Sequence, residues 1–314
     1  MAVSPNIFQP IATDAPPSQF SRRGDHPVRK LGVQAQNSPV STNKFYANFF
    51  LGSQSAPTWT HPYSVAWSKG GGVTKSISPK PGVTKYIIIL EDGKTWLLYA
   101  FGQPLELTVV NNGLIQGNFF IGVIQIAKDP GGAESLYDLS CGTWATGALA
   151  KFAQITYILN TLLHDPALAQ TSLTTLQRAF SKFTTNTQQF PLVYDTSWGG
   201  LVSSASYAGD PGADFGNTYY NDHHFHYGYF IYAASLIGHL DPVWAVANKP
   251  WVDALARDIA NASPDDPWFP HYRNFDWYHG HSFAHGLYET FDGRDQESSS
   301  EDAMSAKQSI RYPV

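Results

Sequence analysis

Two stretches of the chain gather side chains that can move protons. One is Asn221-Asp-His-His-Phe-His-Tyr-Gly-Tyr-Phe230. The other is Asp276-Trp-Tyr-His-Gly-His-Ser-Phe-Ala-His285, which runs on to Asp292-Gly-Arg-Asp-Gln-Glu-Ser-Ser-Ser-Glu301. Acid–base hydrolysis of an acetal needs such groups: one carboxylic acid protonates the leaving oxygen, and one carboxylate activates water or attacks carbon. Asp222 is the candidate acid. It stands at the entrance of an aromatic helix, where burial raises a carboxyl pKa. A helix N-terminus favours the charged form, so the sequence leaves the sign of the shift open. His226, four residues on, shares a helical face with Asp222 and can bond substrate or tune the acid. Glu297 and Glu301 are also four apart and project together if one helix carries both. A plainer role competes. Ser298-x-x-Glu301 matches a capping box, in which Glu301 only reaches back to the cap amide.

The surroundings favour a site over a solvated face. Between Asp195 and Asp302 lie 16 of the 25 acids, 4 of the 20 bases, 8 of the 11 histidines and 21 of the 45 aromatic residues. His223, His224 and His226 form one histidine group; His279, His281 and His285 form a second. His281 and His285 have the i, i+4 spacing of zinc ligands, but no His-Glu-x-x-His accompanies them, and each is more simply a packed or capping residue. No metal and no cofactor is expected. Trp198, Tyr207, Tyr219, Tyr220, Trp277 and Tyr278 offer ring faces to a sugar, with ordinary core packing as the competing role for about half of them. The formal charge of −5 argues against a nucleic-acid partner. The apolar runs near 155–163 and 230–240 are too short to span a bilayer. The single cysteine, Cys141, excludes an internal disulfide. Met1–Lys30 shows no signal-peptide pattern, which leaves the compartment open between cytoplasm and cell wall.

The elements that must hold these groups change character along the chain. Thr84–Leu90 and Thr95–Phe101 read as a hairpin, and Leu105–Val110 and Phe119–Ile126 continue the strands, with Asn111-Asn-Gly113 as a turn. After about Asp138 the period becomes helical. Phe152, Ile155, Leu159 and Leu162 fall on one face, as do Leu173, Leu176, Phe180 and Phe183. His223–Leu240 reads as a buried helix capped by Asn221 or Asp222, Trp251–Ala260 as a short helix, and Glu301 as the start of another. Strands followed by helices suggest two consecutive domains.

Several segments together resemble glycoside hydrolase family 81, endo-β-1,3-glucanases of fungi, plants and some bacteria. They are Thr42-Asn-Lys-Phe-Tyr-Ala-Asn-Phe-Phe-Leu51, Trp59-Thr-His-Pro-Tyr-Ser-Val65, Pro191-Leu-Val-Tyr-Asp195, Asp214-Phe-Gly-Asn217, the Asn221–Phe230 stretch and Gln296-Glu-Ser-Ser-Ser-Glu301. The resemblance implies an α+β multidomain chain. An antiparallel β-sandwich (residues 1–138, internally shortened) would precede an incomplete (α/α)6 toroid (139–314). It implies endo-hydrolysis of β-1,3-glucan with inversion. Asp222 matches the general acid, and Glu297 and Glu301 match the paired glutamates, one of which is the base. His226, Tyr220, Tyr227, Asp276, Trp277 and His281 are the candidate substrate contacts. Against the family pattern, sequence is missing after Gly70-Gly-Gly72 and near Asp138-Leu139. After Ala306, Lys307–Val314 departs from the pattern. Weak or no catalysis by the chain as written is the expectation that follows, with a non-catalytic glucan-binding protein as the alternative.

Overall fold

Strands Thr74–Ser78, Lys85–Leu90, Thr95–Gly102 and Gly122–Lys128 lie side by side in that order, every pair antiparallel. They belong to a computed structural model that describes residues 9–128, with short interruptions between 32 and 121, and residues 145–290 and 295–303. The expected hairpin is present, with Lys85 opposite Tyr99 and Ile89 opposite Thr95. Its side chains alternate as a half-buried sheet requires. Tyr86, Ile88, Leu98 and Ala100 are buried, whereas Lys85 and Ile87 face outward. Leu107–Val110 and Leu114–Gly117 form a separate two-stranded ladder. Of the strand expected over Phe119–Ile126, the part from Gly122 is strand and runs on to Lys128, while 119–121 lie outside the described residues. The turn at 111–113, the breaks expected at 70–72 and 138–139, and the divergent stretch 307–314 lie outside the described residues.

Among the described residues four long helices follow: α1 (Ala145–Thr161), α2 (Pro166–Thr184), α3 (His223–Leu240) and α4 (Pro242–Ala260). Two of them start on an aspartate followed by proline, which satisfies an orphan amide and presets φ. Asp165 accepts the Leu168 N–H at 3.0 Å, and Asp241 accepts those of Val243 and Trp244. The Asp241 cap explains why α4 is longer than the short helix expected from Trp251 to Ala260; it runs 19 residues and carries Pro250 inside. Helix α3 packs against both α1 and α4. Phe180 of α2, Phe230 of α3 and Trp251 of α4 meet edge to face at 5.4–5.8 Å, the arrangement aromatic quadrupoles favour. No described helix is long and apolar enough to cross a membrane.

One expectation is corrected here. The α1 face read as core looks outward: Phe152 is 56% and Leu162 65% exposed, while Leu149, Ala150 and Ala153 are buried. The N-terminal segment also meets the later part of the chain. Ser21–Arg23 runs parallel to Leu192–Asp195, which pairs antiparallel with Gly200–Ser203. Val28 and Leu51 share a buried cluster with Trp198, Val202, Tyr219 and Tyr220. Phe20, Val28 and Leu51 are therefore packed into the core of the residues beyond 139.

Candidate active site

The segment entering α3 is bent twice. Tyr220 (φ 69°) and Asp222 (φ 57°) are both left-handed, a conformation that L-residues hold only when their surroundings impose it. The surroundings do so here. Asn43, fully buried, donates from Nδ2 to the carbonyls of Tyr220 and Phe283, both at 3.0 Å. The Asp222 N–H donates to Ala284 O at 2.8 Å, and the Gly286 N–H donates to Asn221 Oδ1 at 2.9 Å. A Cβ at Gly286 would sit 2.2 Å from Tyr219 O, so only glycine allows this close approach.

A buried ionic layer lies beneath. Asp258 accepts from His223 Nδ1 at 2.6 Å, from the Leu201 N–H at 2.9 Å and from Arg273 Nη2 at 3.3 Å. His223 Nε2 donates to Asn217 O at 2.8 Å. The Arg273 guanidinium lies 4.2 Å from the Tyr220 ring centre, and the Tyr220 hydroxyl donates to Asp195 at 2.7 Å. His223, which reads in sequence as part of a metal-like trio, serves this layer. The other two are buried: His224 has no hydrogen-bond partner at either ring nitrogen and His226 none at Nε2, among the described residues. Burial holds His224 at about 3 and His226 at about 4, so both rings are neutral at physiological pH. Among the described residues no group of three or more His, Cys, Asp or Glu is placed to hold a metal ion.

Asp222 occupies the N-cap position of α3, yet its side chain makes no cap hydrogen bond. Its carboxyl meets that of Glu297 instead, and the two are hydrogen-bonded. Burial, then the Glu297 charge, pushes Asp222 up to about 9. Desolvation thus wins over the helix dipole, which settles the sign the sequence left open. Glu297 is also raised, first by burial; the charge of His285 opposes that shift. At neutral pH Asp222 carries the proton and donates it toward Glu297. Glu297 is left-handed as well, at φ 63°. His285 is oriented by Asp295, 3.1 Å from its Nδ1, and the Ala284 N–H donates to Asp295 O.

Glu301 lies in a helical turn at 299–303. The Tyr229 hydroxyl donates to its Oε1 at 3.0 Å. Asp222, His226 and Tyr229 stand at i, i+4 and i+7, one face of α3. The structure therefore gathers Asp222, His226, Glu297 and Glu301 along that face. Sequence reasoning passed over Tyr229, although the i+7 spacing from Asp222 was the signal for it. It gave Asn43 and Asp295 no role of their own, and it read His285 as a packed or capping residue or one of a zinc-spaced pair, not as a partner of Asp295.

The expected sugar contacts divide. Tyr220 and Tyr227 are 0% and 1% exposed; their rings fill the core and have no face for a ligand, which corrects that expectation. Trp198 and Tyr219 are buried too, while Trp277 and Tyr278 are exposed. Asp276 organises its own turn, accepting the N–H groups of Tyr278 and His279 at 2.9 Å. Burial works to raise its carboxyl, but the His279 hydrogen bonds override this and hold it at about 2. His281 Nδ1 bonds its neighbour's carbonyl, Ser282 O, at 3.0 Å.

A partly buried aspartic acid set against Glu297, with Glu301 along the same helix face, on a chain of mostly antiparallel sheets and packed helices, supplies the kinds of group that glycoside-hydrolase chemistry uses. The chain belongs to glycosyl hydrolase family 81: the model of its C-terminal domain matches residues 134–310, and that of its N-terminal domain matches 26–78 and 71–157. It is similar to a glucan endo-1,3-beta-D-glucosidase of Arthroderma benhamiae, 30% identical over 547 aligned positions that take in 96% of this chain and 60% of the relative. It is also similar to the primary septum glucan endo-1,3-beta-D-glucosidase of Schizosaccharomyces pombe, 46% identical over 187 residues, or 57% of this chain and 18% of that protein. A solved glycoside hydrolase family 81 structure from Clostridium thermocellum aligns with a TM-score of 0.49 at 16% identity, covering 96% of this chain and 69% of that one. The chain thus spans less than two thirds of the length of these curated relatives.

Proposed function

We propose that the chain carries the acid–base centre of an endo-β-1,3-glucan hydrolase, with Asp222 as general acid and Glu301 as base. The observation that carries this reading is the Asp222 carboxyl set against Glu297 with its Oδ1 shut off from solvent, where burial and the neighbouring charge raise its pKa. Its proton is transferred to the glycosidic oxygen as the C1–O bond breaks. Glu301 takes a proton from water, and the water oxygen forms the new bond to C1 from the opposite face, which inverts the anomeric centre.

Geometry supports this division of labour between the glutamates. Glu297 touches the acid, and an inverting pair needs a gap of roughly 6.5 to 9.5 Å for the water. Glu301 is held by Tyr229, whose Cα stands about 10 Å along the helix axis from that of Asp222. The Glu301 charge acts on Asp222, whereas the hydrogen bond to Asp222 comes from Glu297, as expected of a base separated from the acid by a water. Glu297 then serves to keep the proton on Asp222. Both relatives named above carry endo-1,3-glucosidase names, which supports β-1,3-glucan as the substrate. We infer further that the four-stranded sheet is part of a β-sandwich and α1–α4 part of an (α/α)6 toroid, in units near 1–138 and 139–314, with Ser21–Arg23, Val28 and Leu51 packed onto the second unit.

The test is a laminarin digest followed by proton NMR within the first minutes. An α-anomer appearing first supports inversion, whereas an initial β-anomer assigns a retaining mechanism and removes Glu301 as base. Binding without any cleavage leaves a glucan-binding protein, and release undiminished by Asp222→Asn removes the acid.

A further inference from the structure

Residues 214–216 run left-handed in succession: Asp214 at φ 53°, ψ 44°, Phe215 at φ 56°, ψ 23°, and Gly216 at φ 76°, ψ 19°. Glycine adopts this region freely; a bulky aromatic residue does so only under constraint. The constraint comes from behind the run. Gly216 O accepts the Asn221 N–H at 3.3 Å, and Asn217 Oδ1 accepts the Ser203 N–H at 2.7 Å. A Cβ at Gly216 would fall 2.5 Å from Asn221 Nδ2. Everything from Gly216 to Tyr219 is buried, yet Phe215 remains 52% exposed.

The ring projects beside the carboxyl centre. Its centroid is 5.9 Å from that of His226, tilted by 47°. His226 stands on the α3 face that carries Asp222 and Tyr229, and the Glu301 charge acts on it. Its buried Nε2 has no partner among the described residues. A lone exposed phenylalanine needs no explanation. One held in a strained backbone by a buried network, next to a nitrogen with nothing to bond, marks a ligand position.

Resting on the glucan reading above, we propose that Phe215 is a platform on which one pyranose ring of the polymer stacks, while His226 Nε2 bonds a hydroxyl of that sugar or its neighbour. The apolar C–H face of a β-glucosyl unit suits the π-face of phenylalanine. A sugar hydroxyl can donate or accept, so it fits either tautomer of a neutral histidine.

Calorimetric titration with laminarihexaose, in an Asp222→Asn background that binds without cleaving, tests the platform. Phe215→Ala weakens binding by about tenfold or more, and Phe215→Tyr stays within about threefold of the parent. Phe215→Gly loses affinity as alanine does but keeps or raises the melting temperature, because glycine is at home at this φ. It stands in for alanine should that variant not fold. Equal affinity in the parent and the glycine variant overturns the platform and leaves the glucan reading intact. A parent that fails to bind laminarihexaose overturns the glucan reading itself, and the platform with it.

Discussion

Replacing Asp222 by asparagine removes a proton donor and at the same time relieves the fold. In the native chain this carboxyl moves from 3.8 to about 9. A group whose folded pKa is raised contributes its stability fully below the unfolded value and loses it as the pH climbs toward the folded value. Here the loss begins near pH 3.8 and is complete near 9. At pH 7 the unfolded aspartate is ionised and the folded one is not. About 1.36 kcal/mol per unit over that interval sets a penalty of roughly 4 kcal/mol. Asparagine keeps an N–H donor toward Glu297, but its Oδ1 replaces an oxygen already buried without a partner. About half of the penalty, on the order of 2 kcal/mol, is then recovered. Asp222→Asn should melt about 3 °C higher than the parent at pH 7, while laminarin hydrolysis falls by roughly a hundredfold to ten-thousandfold. Circular-dichroism melts across pH 4 to 8 read the first effect. The two proteins should converge toward pH 4. A variant less stable than the parent at pH 7, or a difference that does not change with pH, refutes the buried-proton argument.

Glu301→Gln should lower kcat by roughly a hundredfold or more with little change in KM; steady-state kinetics on laminarin check this, and an unchanged kcat moves the base elsewhere. Asn43→Ala leaves the Tyr220 and Phe283 carbonyls without their buried donor, which should cost about 1 to 3 kcal/mol. Urea unfolding measures it, and a midpoint equal to the parent's would mean the clamp is idle. Asp258→Ala strands Arg273 and His223 in the core, at a cost of about 3 to 5 kcal/mol. A large fall in melting temperature is expected, and retention of the native value speaks against the buried ionic layer.

Several features could be read from the chain alone. Helix α3 keeps the bounds expected for it, His223–Leu240, because a long, almost wholly apolar and aromatic run has no other stable state than a buried helix. The hairpin of Lys85–Leu90 and Thr95–Gly102 follows from strand alternation around a glycine turn. The Asp222, Glu297 and Glu301 set came from the family resemblance, and the spacing of Asp222 and His226 correctly put them on one helical face.

Periodicity fixes which residues share a face, but not what that face meets. On α1 the face of Phe152 and Leu162 points outward, because α3 docks on the side of Leu149 and Ala153. Tyr220, which offers a ring face in sequence, and Tyr227, a candidate substrate contact, are core residues in space, since burial of a ring depends on its neighbours from distant segments. The pairing of the carboxyls has the same origin. Asp222 could have capped its helix or faced water. Its backbone is instead held by Ala284 O and its segment by Asn43, from loops 62 and 179 residues away, and this turns the carboxyl onto Glu297. A pKa is set by what surrounds a group in three dimensions, so only the folded chain decided that Asp222 keeps its proton.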